Sequence, residues 1–266
     1  MAVTEEIAWG DGSGDKIYLT CDALEGNQTV LVSSDANASA SSRSQSITFS
    51  TGGISQVLTV SQEPGILEPI FYNYLYFTRP AYIQTDYILP NLASFSTRLG
   101  GETVNAGTQR IFTAGSSSDL IRVQYGSATT ASSGRRLAIY YGSSSNIGGN
   151  RTYSWSYTEF NFFLTPKRFG FGISNVYTIS KGSGFPTTGL MFGGDNSNSY
   201  SGRFETFYVY DSSAQNATSY SALTAFTPVA TFRPCTYGGK AGFWYVEGDK
   251  FFGNSASSGT LVASNS

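Results

Sequence analysis

Gly239-Lys240-Ala241-Gly242-Phe243-Trp244-Tyr245-Val246-Glu247-Gly248-Asp249-Lys250-Phe251-Phe252-Gly253-Asn254 reads as two aromatic strands folded back on each other at Gly248. Phe, Tyr and Trp fit a pleated, half-buried surface, and Gly and Asp fit the turn between them. Successive strand residues point to opposite faces, so Phe243-Trp244-Tyr245 places aromatics on both. One face must then be exposed, capped by another strand or covered by a partner chain. Glu247 and Asp249 flank the turn glycine, where their carboxylates are expected in water.

The same pattern extends upstream. From residue 70 strands are expected at 71–77, 81–88, 109–114, 119–125, 136–141, 151–157, 159–164, 168–173, 203–210 and 226–233, with Gly, Ser and Asn between them. Many short strands at regular spacing are the mark of a large sandwich or barrel. Helical periodicity is nearly absent, and 212–225 has room for one helical turn. Before residue 62 shorter strands are expected at 17–20, 28–33, 45–50 and 55–61. The last two flank Gly52-Gly53 as a hairpin. Breaks at Pro64-Gly65 and Glu68-Pro69 divide the chain into a domain at 1–65, a linker at 66–69 and a domain at 70–266. A 65-residue sandwich is small for a core of its own and is expected to lean on a neighbour or on another copy of itself.

Composition agrees with an all-β protein. Aromatic residues are 15% of the chain and charged residues 13%, half the ~25% of an ordinary soluble domain. The formal net charge is -2. Phosphate backbones are gripped by clustered Lys and Arg, so no nucleic-acid partner is expected. Arg135-Arg136 and Lys167-Arg168 read as exposed turns or strand ends. The two cysteines, Cys21 and Cys235, fall in different expected domains and read as buried thiols rather than a bridge. No segment approaches the ~20 apolar residues that span a bilayer, so no membrane insertion is expected. Met1–Glu6 has neither the basic nor the apolar region of a signal peptide.

Two resemblances sharpen the expectation. Gly26–Asn37, Ser42-Arg43-Ser44-Gln45-Ser46-Ile47-Thr48-Phe49 and Gly53–Gln62, ending Thr59-Val60-Ser61-Gln62, resemble the C-terminal half of a BACON domain, an immunoglobulin-like family. Over 70–266 the chain is similar to concanavalin A-like (LamG-type) jelly-roll domains. Tyr82–Asn91 resembles their opening strand. Leu190-Met191-Phe192-Gly193-Gly194-Asp195-Asn196 with Gly202-Arg203-Phe204 and Tyr208-Val209-Tyr210-Asp211 resembles a late strand pair. Phe232–Cys235, the hairpin above and Gly259-Thr260-Leu261 resemble the close. The resemblances imply a small immunoglobulin-like sandwich followed by a concanavalin A-like jelly roll. Such pairings occur in virion proteins of phages that infect Bacteroidetes, as head fibres, decorations or tail appendages. That implies a non-enzymatic structural or adhesive protein, made in the host cytoplasm and carried on the virion. Its partners would be other virion proteins, host or gut glycans, and its own copies, a trimer by analogy. The alternative is a secreted or cell-surface carbohydrate-binding protein whose signal peptide has been removed.

The residues offer little chemistry beside this. The chain has no histidine, which excludes Ser-His and Cys-His nucleophiles. Jelly-roll glycosidases need two carboxylates facing one sugar, and their Glu-x-Asp-x-x-Glu and Glu-x-Asp-x-Glu patterns are absent. No catalytic residue, cofactor or metal is expected. Asp11, Ser13 and Asp15 have the alternating oxygens of a calcium loop but lack its closing Glu, which favours a solvated turn. Tyr153, Trp155 and Tyr157 share one strand face, either core or a platform for sugar rings. Asp195 and Asn196 bring oxygens to one loop, either a turn or a ligand site. These five residues are the candidate glycan site. Trp9 is expected to cover one end of the small sandwich.

Overall fold

A computed structural model describes residues 3–21, 29–37, 39, 41–51, 53–63, 65, 68–100, 108–115, 119–126, 135–143, 147, 151–153, 159–172, 175–194 and 200–265. The fold is all-β, built of antiparallel sheets packed as sandwiches. The chain divides into two compact units: Met1–Glu68, with which the turn Tyr237–Gly239 is grouped, and Pro69–Thr236 continued by Lys240–Ser266.

In the first unit, β1 (Val3–Ala8), β2 (Lys16–Cys21) and β3 (Leu31–Ser34) form one sheet in chain order, and β4 (Arg43–Thr51) pairs with β5 (Ile54–Gln62) as a hairpin. Ile17 and Leu19, two apart on β2, point inward with Trp9 and Ile47, and Ile7, Val32 and Val60 pack around them. Trp9 is thus a core member. Arg43 is buried with it: its guanidinium lies 4.3 Å over the Trp9 ring. It donates to Asp15 Oδ2 at 2.6 Å, Asp35 O at 2.9 Å and Gln62 Oε1 at 3.0 Å. Asp11 and Ser13 also face it, at 3.5 and 3.3 Å. The Asp11-Ser13-Asp15 turn, expected to be solvated, is therefore closed around an arginine cation, and Ser13 holds the Asp11 carboxyl below its ordinary range.

The second unit contains β6 (Ile70–Phe71), β7 (Tyr74–Thr78), β8 (Ile83–Gln84), β9 (Ser94–Gly100), β10 (Gln109–Ala114), β11 (Ile121–Gly126), β12 (Arg135–Tyr141), β13 (Arg151–Tyr153), β14 (Glu159–Leu164), β15 (Arg168–Phe171), β16 (Asn175–Thr178), β17 (Met191–Phe192), β18 (Gly202–Phe204), β19 (Phe207–Tyr210), β20 (Ala230–Tyr237), β21 (Lys240–Tyr245), β22 (Lys250–Gly253) and β23 (Thr260–Ser264). A 3-10 turn at Ser212–Ala214 and one helix, α1 (Tyr220–Thr224), fill the span where a helical turn is expected. Asp211 and Ser219 cap them by accepting from the amides of Ser213 and Ala222.

One sheet runs β13-β12-β11-β10-β17-β8. The larger runs β16-β15-β14-β9-β19-β20-β21-β22 and carries β6, β7, β18 and β23 as branches. Phe192 of the smaller sheet enters a cage of Phe204, Phe207, Phe232 and Phe243 from the larger, with ring centroids 4.7 to 5.9 Å apart. Phe112 meets Phe95 and Phe162 likewise. Pairs at such distances add ~0.5–1.5 kcal/mol each to the burial of the rings. Phe243 and Tyr245 face this core, Tyr245 stacked on Phe232, and Trp244 lies half-buried on the other face.

Several expectations need correction. The strand β9, at the centre of the larger sheet, has no counterpart among the expected strands. The spans 71–77 and 203–210, each expected to be one strand, are interrupted at Tyr72-Asn73 and at Glu205-Thr206. Of 81–88 only Ile83–Gln84 is a strand. Cys21, expected to be buried, is half-exposed; Cys235 is buried, both thiols are free, and burial pushes the Cys235 thiol up to about 12. Glu247 does not simply point into water: it accepts from the backbone N–H and the hydroxyl of Thr231, each at 2.7 Å, and pins β20.

Candidate functional site

The two interruptions face each other across a fork in the larger sheet. β9 pairs with β18 at Leu99↔Phe204 and with β19 at Ser96↔Tyr208. Between those pairs Thr97 and Arg98 oppose three residues, Glu205, Thr206 and Phe207, which is a β-bulge. On its far side β18 pairs with β7, whereas β19 pairs with β20. The sheet therefore splits at Glu205-Thr206 into a β7 branch and a β20 branch. The link Tyr72-Asn73 crosses between them, since β6 pairs with β20 at Phe71↔Cys235.

A cleft of about 510 Å³ opens at the fork, lined by Tyr72, Asn73, Tyr74, Arg98, Glu159, Arg203, Glu205, Thr206, Arg233 and Asn265. Its charges follow from strand alternation. Leu99, Phe160, Phe204 and Phe232 point into the core, so their neighbours Arg98, Glu159, Arg203 and Arg233 project from the opposite face. Further along that face, Phe163 and Tyr210 are covered by Ala214, Ala217 and Leu223. Ser96 and Tyr210 share a hydrogen bond of 3.0 Å there.

Arg98 donates to Glu159 Oε2 at 2.8 Å and pairs with Glu205 Oε1 at 3.2 Å. Arg203 donates to Glu159 Oε1 at 3.1 Å and lies 4.6 Å over the Tyr74 ring. Both oxygens of Glu159 are thus held by guanidinium groups. Glu205 is held by its backbone as well, its N–H donating to Arg98 O at 3.0 Å. Partial burial raises the Glu205 carboxyl above its ordinary range; Arg98 opposes the rise and Glu159 adds to it. Burial also pushes the nearby Tyr220 phenol up to about 12. Arg233 stacks 3.9 Å over Phe71. The rim is fixed by Asn73, which donates its N–H to Asn265 Oδ1 at 2.9 Å and its amide to Asn265 O at 3.3 Å, and by Tyr72, whose N–H donates to Pro234 O at 2.9 Å. Arg98, Arg203, Glu159 and Glu205 each face both a counter-charge and solvent, so this is a wet polar cleft with fixed donors and acceptors.

None of the expected site residues is among those that line this cleft. Tyr153 ends β13, the edge strand of the smaller sheet, but its side chain lies outside the described residues, as do Trp155, Tyr157, Asp195 and Asn196. Among the described residues no group of three or more Cys, Asp or Glu is arranged to hold a metal ion, and no helix is long and apolar enough to cross a membrane. Arg203 and Arg233 fall in blocks quoted for the jelly-roll resemblance, but no chemical motif marks the cleft residues as a site. Their signal is a charge beside each inward aromatic or leucine, as in Arg203-Phe204-Glu205 and Phe232-Arg233, in a chain poor in charge.

No protein-family model matches the chain, and no curated protein matches it.

Proposed function

We propose that this chain is a non-enzymatic display protein whose second unit binds glycans in the forked-sheet cleft. The observation that carries the reading is the mixed lining of the cleft. Sugar hydroxyls both donate and accept, and the cleft offers Arg, Asn and Tyr donors beside Glu acceptors, with Tyr74, Arg98, Glu159, Arg203 and Arg233 on strands and Tyr72, Asn73, Glu205 and Asn265 on the short segments next to them. The setting is the one the sequence resemblance implies, a phage virion appendage with other virion proteins as neighbours.

Two glutamates in a cleft also raise hydrolysis, which needs one carboxyl free to donate a proton and the other free to attack or to activate water. Arg98 and Arg203 occupy both oxygens of Glu159, and Arg98 occupies one of Glu205. That favours binding over catalysis. A glycan array with the purified chain and with Arg203→Ala tests the reading. The expected result is binding to a related set of glycans, lost in the variant, with no reducing ends released on incubation. Silence across the array, or turnover, overturns it.

Self-association belongs to the same reading. The hairpin β4–β5 is a sheet by itself with two unpaired edges among the described residues, and no residue from Ser44 to Gln62 is charged. Phe49, Ile54, Val57 and Leu58 are exposed on it. Long uncharged edges are what strand addition uses, and native edges usually carry charges against it. Sedimentation equilibrium should show an oligomer that Val57→Lys with Ile54→Lys converts to monomer. A monomer for the unaltered chain at every concentration contradicts this.

A further inference from the structure

We infer that the cleft selects acidic glycans, with the Arg233 guanidinium receiving the carboxylate or sulfate of an acidic sugar. This rests on the glycan-binding reading above and adds the class of sugar.

The cleft holds three guanidinium groups and two carboxylates. Arg98 and Arg203 share Glu159, and Arg98 also holds Glu205, so these four charges form a closed network. Arg233 stands outside it. No described carboxylate lies within ion-pair distance of Arg233, and the ring of Phe71 lies beneath its guanidinium. The cleft therefore carries one positive charge more than its glutamates balance.

The geometry suits an anion. Stacking on Phe71 uses the flat face of the guanidinium and leaves its in-plane N–H donors for a partner; a planar fork of donors matches a carboxylate or sulfate through two parallel bonds. Asn265 adds a donor at the same rim. Its Oδ1 is taken by the Asn73 N–H, which fixes the orientation of the amide, and its Nδ2 hydrogens have no described acceptor. Tyr72 and Tyr74 line the same cleft, and the acceptors of Glu159 and Glu205 suit the neutral hydroxyls of the same sugar. The backbones on both sides of this subsite are tied together by Tyr72 N–H to Pro234 O, so the donors are placed before a ligand arrives.

Isothermal titration of the full chain with three oligosaccharides of equal length separates the outcomes: one bearing hexuronate, one bearing sulfate esters and one neutral. The expected result is that at least one acidic oligosaccharide binds about tenfold or more tightly than the neutral one, the size of a charge-assisted hydrogen-bonded pair. Arg233→Gln should remove that preference. Arg233 is exposed, so the thermal midpoint should not move. Preference for hexuronate or for sulfate identifies the source of the anion. Equal binding of all three overturns the acidic preference and leaves the glycan reading standing. A preference that survives Arg233→Gln overturns the assignment to this residue. Binding of none, at any concentration reached, overturns both.

Discussion

At the scale of single residues, Arg43 and Glu205 show opposite uses of a charge. The Arg43 side chain is 4% exposed and is matched by Asp15, the Asp35 carbonyl, Gln62 and the Trp9 face. Removing one partner of a buried pair leaves the others uncompensated, which costs about 3 kcal/mol here because Asp15 keeps some solvent. Arg43→Met should therefore lower hydrogen-exchange protection across β2 by that amount and leave the second unit unchanged. Glu205 is ionisable where burial disfavours the charge. A carboxyl with a raised folded pKa contributes most stability at low pH and loses it as pH rises through the folded value. The groups facing it are Arg98 on β9, Glu159 on β14 and Tyr220 on α1. Protonation of Glu205 removes a negative charge from the cleft, so an acidic ligand should bind more tightly as pH falls through the raised Glu205 value. Titrations at several pH values check this, and Glu205→Gln should flatten the dependence.

At the scale of elements, the core is one of interlocked rings. Phe192 contacts four phenylalanines of the opposite sheet, and Phe192→Ala should destabilise the second unit by ~3–5 kcal/mol, read as a lower urea midpoint. Much of this was legible: the aromatic hairpin at 240–253, the Ile47–Val60 hairpin and the all-β class follow from alternation and turn residues alone. What was not legible has a common physical cause. Ser94-Phe95-Ser96-Thr97-Arg98-Leu99-Gly100 alternates correctly, but its inward residues share the strand with small polar ones. Ser94, Ser96 and Thr97 are buried, a burial that α1 and a dense sheet impose and that composition does not announce. The breaks at Tyr72-Asn73 and Glu205-Thr206 carry no Gly or Pro. They arise because two branches compete for one neighbouring strand, which is a property of the sheet and not of either segment. The candidate site follows from those breaks, so a search for motifs passes over it. Gly202, just before it, has space only for glycine: a Cβ there would meet Tyr200 Oη at 2.4 Å and Gly100 O at 3.0 Å. Gly202→Ala should push β18 and Arg203 away from Glu159 and weaken glycan binding.

At the scale of the whole molecule, the two units differ in the resources each has. The first has a small core around Trp9 and Arg43 and exposes an uncharged hairpin, the surface on which the proposed self-association rests. The second has a large two-sheet core that can hold a polar cleft open at a fork without losing its packing. The proposed function turns on the ligand sitting at the fork and not at the candidate residues Tyr153, Trp155, Tyr157, Asp195 and Asn196. A crystal structure of the full chain soaked with an array-positive oligosaccharide tests it most directly. Sugar density is expected between β7 and β20, in contact with Arg233, Asn265 and Glu159. Density at residues 153–157 or 195–196, with the fork containing only solvent, would contradict it.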